Sequence, residues 1–165
     1  MTARKAKAHG ARWALAGLML AAAAGAAAAG GGPAVPDGVI VVRSHHDVRT
    51  TLDRLERILE AKGITVALRW DHAARAKGVG LDLRPTALLV FGNPRLGTRI
   101  MQGAQSAGID MPLRALAWRD ADGRVWLGVT DPAWIARRHG ATGAGETVAR
   151  MRAAVERFAR EAAAP

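Results

Sequence analysis

TALLVFGNPRLGTRIMQ, residues 86–102, changes its period at its midpoint. Residues 86–91 are a nearly unbroken apolar run with β-branched and aromatic members, and they read as a buried strand. Gly92-Asn93-Pro94 is turn chemistry. Proline suits the first turn of a helix, which predicts a helix from about Pro94 to Ala107. The stretch is therefore a strand feeding a helix. Upstream, Val39–Arg43 reads as a first strand. Val48, Leu52, Leu55 and Leu59, with Ile58 beside them, fall on one helical face, while Arg49, Asp53, Arg54, Glu56, Arg57 and Glu60 cover the other. Ser44 and Asp47 stand in a Ser-x-x-Asp arrangement before this helix, and Gly63 stops it. Ile64–Trp70 reads as a second strand, and Asp71 is placed to cap the short helix 72–77. Downstream, 111–120 and 124–131 flank Ala-Asp-Gly as a hairpin. Asp131 and Pro132 open a short helix to 139. After a Gly-rich break, 140–145, a last helix runs Glu146–Ala163 with Val148, Met151, Val155 and Phe158 in one stripe. Strands and helices interleave around a hairpin. The expected fold class is α+β: a single compact domain, mainly an antiparallel sheet with helices packed on it.

The 165 residues carry 24 Lys and Arg against 14 Asp and Glu, no Cys and no Tyr. Without Cys there are no disulfides, thiolate metal sites, Fe–S clusters or cysteine nucleophiles. A balance of +10 invites a nucleic-acid reading, but four of the charges lie in the leader. Arg4, Lys5, Lys7 and Arg12 precede an uncharged run, Trp13–Ala29, that ends in small residues. That order predicts a cleaved signal peptide over 1–29, in preference to a retained membrane anchor, because only Leu15, Leu18, Met19 and Leu20 are strongly apolar. Residues 30–38 form a Gly/Pro linker. The mature chain is expected in the periplasm or secreted, with no stable membrane span. Its remaining 20 basic and 14 acidic residues are interspersed, so no nucleic-acid partner is expected.

Several segments resemble one family. They are Asp71-His72, LRPTALLVFGNPRLGTRIMQ (83–102), IDMPLRALAWRDADGRVWLGVTDP (109–132) and Arg138-His139. Together they are similar to the domain of unknown function 302, over roughly 39–140, with 141–165 as a C-terminal helix. The resemblance implies a compact, dimeric α+β domain and no particular activity. Val129 departs from the family pattern, which has an aromatic residue there, and so weakens any role for a phenol hydroxyl.

The loop FGNPRLGT opens a helix, and the backbone N–H groups of such a junction bind anions. It lacks Gly-Lys-Ser/Thr and Gly-x-Gly-x-x-Gly, so it is no nucleotide loop. The expected site combines Asn93, Thr98 and Arg99 with His72 and Arg84 around a small anionic or apolar ligand. The competing reading of Gly92-Asn93-Pro94 is a tight turn alone. An alternative takes His72, Met101 and His139 as ligands of a metal or haem in a redox-associated protein. Asp71-His72 has the makings of acid–base chemistry, but Asp71 is well placed merely to cap. Ser44 and Ser106 are the serines beyond the leader, and neither lies in Gly-x-Ser-x-Gly, so serine chemistry is not expected. The role expected is a non-enzymatic binding or accessory domain acting as a homodimer. An enzyme of unknown reaction type is the further alternative, and no cofactor is specified.

Overall fold

The computed structural model describes residues 32–165; the leader expected over 1–29 lies outside them. Five strands, β1 (Val39–Ser44), β2 (Thr65–Asp71), β3 (Thr86–Gly92), β4 (Leu113–Arg119) and β5 (Val125–Thr130), form one sheet in the order β1-β5-β4-β3-β2. Every neighbouring pair is antiparallel. The helices are α1 (Val48–Ala61), α2 (His72–Gly78), α3 (Pro94–Gly103), α4 (Pro132–Arg138) and α5 (Gly145–Ala163), and a 3₁₀ turn, Gln105–Ile109, follows α3. The α+β expectation holds.

Alternation decides the two faces of the sheet. Ala87, Leu89 and Phe91 of β3, Leu113, Ala115 and Ala117 of β4, and Leu127 and Val129 of β5 point to one side. There they join Leu52, Leu55 and Leu59 of α1 and Val148, Met151, Val155 and Phe158 of α5 in a single core. The C-terminal helix thus contributes to the same core as the sheet and α1. Its apolar stripe is buried, which leaves the stripe no part in binding a partner.

Capping residues behave largely as their chemistry predicts. Asp47 accepts from the Thr50 N–H at 2.7 Å. Ser44 takes no part in that cap; its hydroxyl bonds Thr51 Oγ1 at 2.7 Å inside the core. Asp71, Asn93 and Asp131 cap α2, α3 and α4. The last carbonyls of α5 are claimed from α1: Arg54 donates to the oxygens of Ala162, Glu161 and Ala164 at 3.0–3.2 Å. In the β4–β5 turn, Asp120 accepts from the Trp126 indole N–H and from Arg124 Nε, both at 2.8 Å. The indole bond, followed by the Arg124 contacts, lowers the Asp120 carboxyl to about 2.

The opposite face is also apolar. The pairing register lays Val41, Gly128, Leu116, Leu88 and Trp70 in one row across all five strands. Trp126 and Trp118 pair in the next row, and Val90 and Leu68 lie in a third. None of these residues belongs to the core cluster or packs against it. Leu68 is 45% exposed. Gly128 keeps the row flat, since a Cβ there would stand 3.1 Å from the Trp118 ring. An antiparallel sheet with a solvated face normally alternates apolar with polar residues; here the polar residues Arg43, Thr86, Arg114 and Thr130 flank a middle row that is apolar throughout.

Candidate functional site

The 86–102 stretch folds as its change of period predicts, except that α3 stops at Gly103 and the 3₁₀ turn takes over the residues up to Ile109. A cavity of about 360 Å³ opens where β3 gives way to α3. Asn93, Gly97, Thr98 and Met101 form its α3 wall, Thr65 and Ala67 of the edge strand its mouth, and Met111 and Pro112 its far side. The glycines of the block now have a physical reason. A Cβ on Gly97 would lie 2.9 Å from the Met111 methyl, and one on Gly92 would lie 3.3 Å from Pro112 Cβ. Bare backbone at both positions lets Met111 and Pro112 close in. A smaller void of about 50 Å³ shares Gly92, Asn93 and Met111 with the cavity and continues to Phe91, Leu113 and Phe158 in the core. Met111 thus stands between an open apolar cleft and the core.

The cavity suits an apolar guest better than an anion. The first-turn amides of α3 are all spent. The Arg95 N–H goes to Asn93 Oδ1 at 3.0 Å. Those of Leu96 and Gly97 go to the Asn93 carbonyl at 3.0 Å, and Pro94 has none. The sequence-derived set is brought together only in part. Asn93, Thr98 and Met101 share the cavity. Arg99 lines a separate polar hollow with Gln102 and Gly103. Arg84 donates to the Arg119 carbonyl at 3.2 Å, where β4 ends. His72 follows Asp71, whose partner is Ala87, whereas the cavity lies at the Thr65–Gly92 end. Six residue steps of strand separate the two ends, roughly 20 Å.

That distance also parts the proposed metal ligands, since His72 is remote from Met101. His139 is engaged elsewhere: one ring nitrogen bonds Asp110 Oδ2 at 2.8 Å and the other bonds Ser106 Oγ at 3.0 Å. Among the described residues, no group of three or more His, Asp or Glu is arranged to hold a metal ion. A larger polar hollow of about 590 Å³ lies beside β2 and contains Arg49, Asp53, Arg69 and Asp71. Its charges are already matched. Arg69 bonds Asp53 at 2.5 Å and Glu56 at 3.1 Å, and Asp71 caps α2.

Met111, Pro112 and Ala67 were missed as cavity residues. The Met-Pro and glycine positions of the motifs were the available signal, but only the β3–β4 pairing shows that they meet. The Ser106–His139–Asp110 contact had no sequence signal, because 33 residues separate the serine from the histidine.

The sequence profile described as "Domain of unknown function DUF302" matches residues 40–158. The chain is 48% identical over 105 residues to the fluoride-specific ion channel FluC 1 of Brucella suis biovar 1, covering 64% of this chain and 41% of that protein. The same identity relates it to the fluoride-specific ion channel FluC 2 of Brucella melitensis, over 64% of this chain and 39% of that one. The chain therefore spans about two fifths of the length of these curated relatives. A crystal structure of an uncharacterized conserved DUF302 protein from Bacillus stearothermophilus superposes with a TM-score of 0.64 at 19% identity, over 78% of this chain and 97% of that one. This likeness is one of fold.

Proposed function

The chain belongs to the DUF302 family, and from that premise we propose that it is an accessory domain that holds a small apolar ligand in the cavity between β3 and α3. The observation that carries this reading is the cavity's lining. About 360 Å³ of space is walled by methionine, proline, alanine and bare glycine, with Thr65, Asn93 and Thr98 as its polar points. Ligand sites are typically of this size, largely apolar and marked by a few polar groups. An engineered apolar cavity of about 150 Å³ takes up benzene, so this space has room for a guest of at least six carbons. The Brucella channels support the accessory role, since the shared stretch is a minor part of longer proteins. In this reading it is an appended module of those channels, for no helix of the described residues is long and apolar enough to cross a membrane.

Hexanol is the probe. The ¹³C-methyl signals of Met101 and Met111 are expected to shift on titration. Ala67→Trp, at an exposed edge-strand position, is expected to close the mouth and abolish the shift. Unmoved methyls at millimolar hexanol, or a shift that persists in the variant, would refute the reading.

The apolar open face of the sheet favours a second element, homodimerisation. Soluble monomers rarely expose an apolar patch of more than a few hundred Å². Here the apolar row Val41–Gly128–Leu116–Leu88–Trp70 crosses all five strands without a polar residue. Like the resemblance, this surface points to a second copy packed sheet to sheet. Export under the direction of residues 1–29 completes the proposal. Protein recovered from its native cell is expected to start near residue 30 by intact mass; an intact leader would refute it.

A further inference from the structure

We propose that Ser106, His139 and Asp110 form a nucleophilic site that accepts acyl groups from small esters. It lies on the 3₁₀ turn and the C-terminal end of α4, outside the apolar cavity, and does not depend on the binding reading above.

The hydrogen-bond directions follow from the groups themselves. An ionised Asp110 can only accept, so the His139 Nε2 that lies 2.8 Å from Oδ2 carries the hydrogen. The neutral ring then presents the Nδ1 lone pair, and the Ser106 hydroxyl donates to it over 3.0 Å. A hydroxyl bonded to a base, with the base oriented by a carboxylate, is the arrangement that activates serine. The two ring nitrogens exchange places relative to the familiar serine hydrolases, but each is equally able to serve as the base. Burial is distributed to suit. The His139 and Asp110 side chains are only 10% and 12% exposed, whereas Ser106 faces solvent. Arg138 Nη1 also lies 3.2 Å from Asp110 Oδ2. Residues three apart eclipse on a 3₁₀ helix. Ile109, 74% exposed, therefore stands beside Ser106 and offers an apolar rest for an acyl chain. A purely structural clasp between the turn and α4 is complete with the His139–Asp110 bond, and an exposed hydroxyl has water for a partner.

In the reaction, Ser106 Oγ attacks the ester carbonyl carbon as its proton passes to His139 Nδ1. The Oγ–C bond forms, the bond from carbon to the alkoxide oxygen breaks, and the same proton goes to the departing alcohol. Asp110 stabilises the transient imidazolium. Water, deprotonated by Nδ1, then releases the acyl group as a carboxylic acid and restores the serine.

The test uses an alkyl fluorophosphonate, which forms an Oγ–P bond with loss of fluoride, followed by intact mass and peptide mapping of the full chain. One adduct on Ser106 is expected, absent in Ser106→Ala. His139→Gln is expected to slow labelling about 100-fold or more, as for loss of a general base. Because His139→Gln also removes buried bonds, Ser106→Cys supplies a second measurement. The chain has no other thiol, and alkylation by iodoacetamide is expected to titrate well below the ordinary thiol value of about 8.5. No adduct, an adduct that survives Ser106→Ala, or an introduced thiol with an ordinary titration overturns the proposal.

Discussion

Leu116→Lys probes the open sheet face most directly. Leu116 sits on β4, the central strand, in the middle of the row Val41–Gly128–Leu116–Leu88–Trp70, and is only half-buried within the monomer. It makes no contribution to the core cluster. A lysine there can lay its stem along the sheet and keep its ammonium in water, so the folding cost is expected to stay below about 1 kcal/mol. Packed against a second copy, the same ammonium loses its water and finds no acid. The charges near this face are mostly arginines: Arg43 and Arg114 on the strands and Arg75 stacked on Trp70, while Asp120 beside Trp126 is already paired with Arg124, which is why lysine is a sharper probe than glutamate. An unpaired buried charge costs about 3–5 kcal/mol, and two-fold symmetry imposes that cost twice. Even one such cost raises Kd about 150-fold, and two raise it more than 10⁴-fold. Sedimentation velocity from micromolar to several hundred micromolar is expected to show a dimer for the parent chain and a monomer for the variant. Urea midpoints extrapolated to low protein concentration should nearly coincide. A parent chain that is monomeric throughout, or a variant that dimerises as tightly as the parent, would refute the assignment of this face.

Two further outcomes follow from local contacts. Asp120 is depressed to about 2 in the folded chain, against about 3.9 when unfolded. Its contribution to stability is therefore complete above pH 4 and is lost as pH falls through 2. The Trp126 indole N–H resonance should move with a midpoint near pH 2, and in Asp120→Asn that step should vanish; a step near pH 4 would contradict the assigned hydrogen bonds. Arg54→Ala removes three donors from the last carbonyls of α5. Each charged hydrogen bond contributes roughly 1.5 kcal/mol or more before solvent screening, and the partial exposure of these bonds brings the expected loss to about 1–2 kcal/mol by chemical denaturation. Faster amide exchange confined to the end of α5 should accompany it, and its absence would show that the clamp is not anchoring the helix.

The elements were legible wherever a local rule dominates. Asp71, Asn93 and Asp131 cap because a short carboxylate or amide reaches a free N–H two or three residues on. The apolar periodicity of α1 and α5 was sufficient to predict their buried faces. The rule failed at Ser44, which the core recruited for Thr51, and at residues 104–109, where the helix gives way to a 3₁₀ turn. Of the candidate ligand residues, Asn93 and Thr98 reached the cavity because they belong to the loop and helix that shape it. His72, Arg84 and Arg99 did not, because spacing along a chain says little about which end of a strand a residue will occupy.

By itself the sequence determined the α+β class, the strand-turn-helix at 86–102 and the family, all properties that depend on local periodicity and contiguous motifs. Only the tertiary structure decided that Met111 and Pro112 close over Gly97 and Gly92, that five strands align a second apolar face, and that Ser106 meets His139 across 33 residues. Those contacts arise from strand register and helix docking, which sum many weak interactions distant in sequence and leave no short pattern behind them.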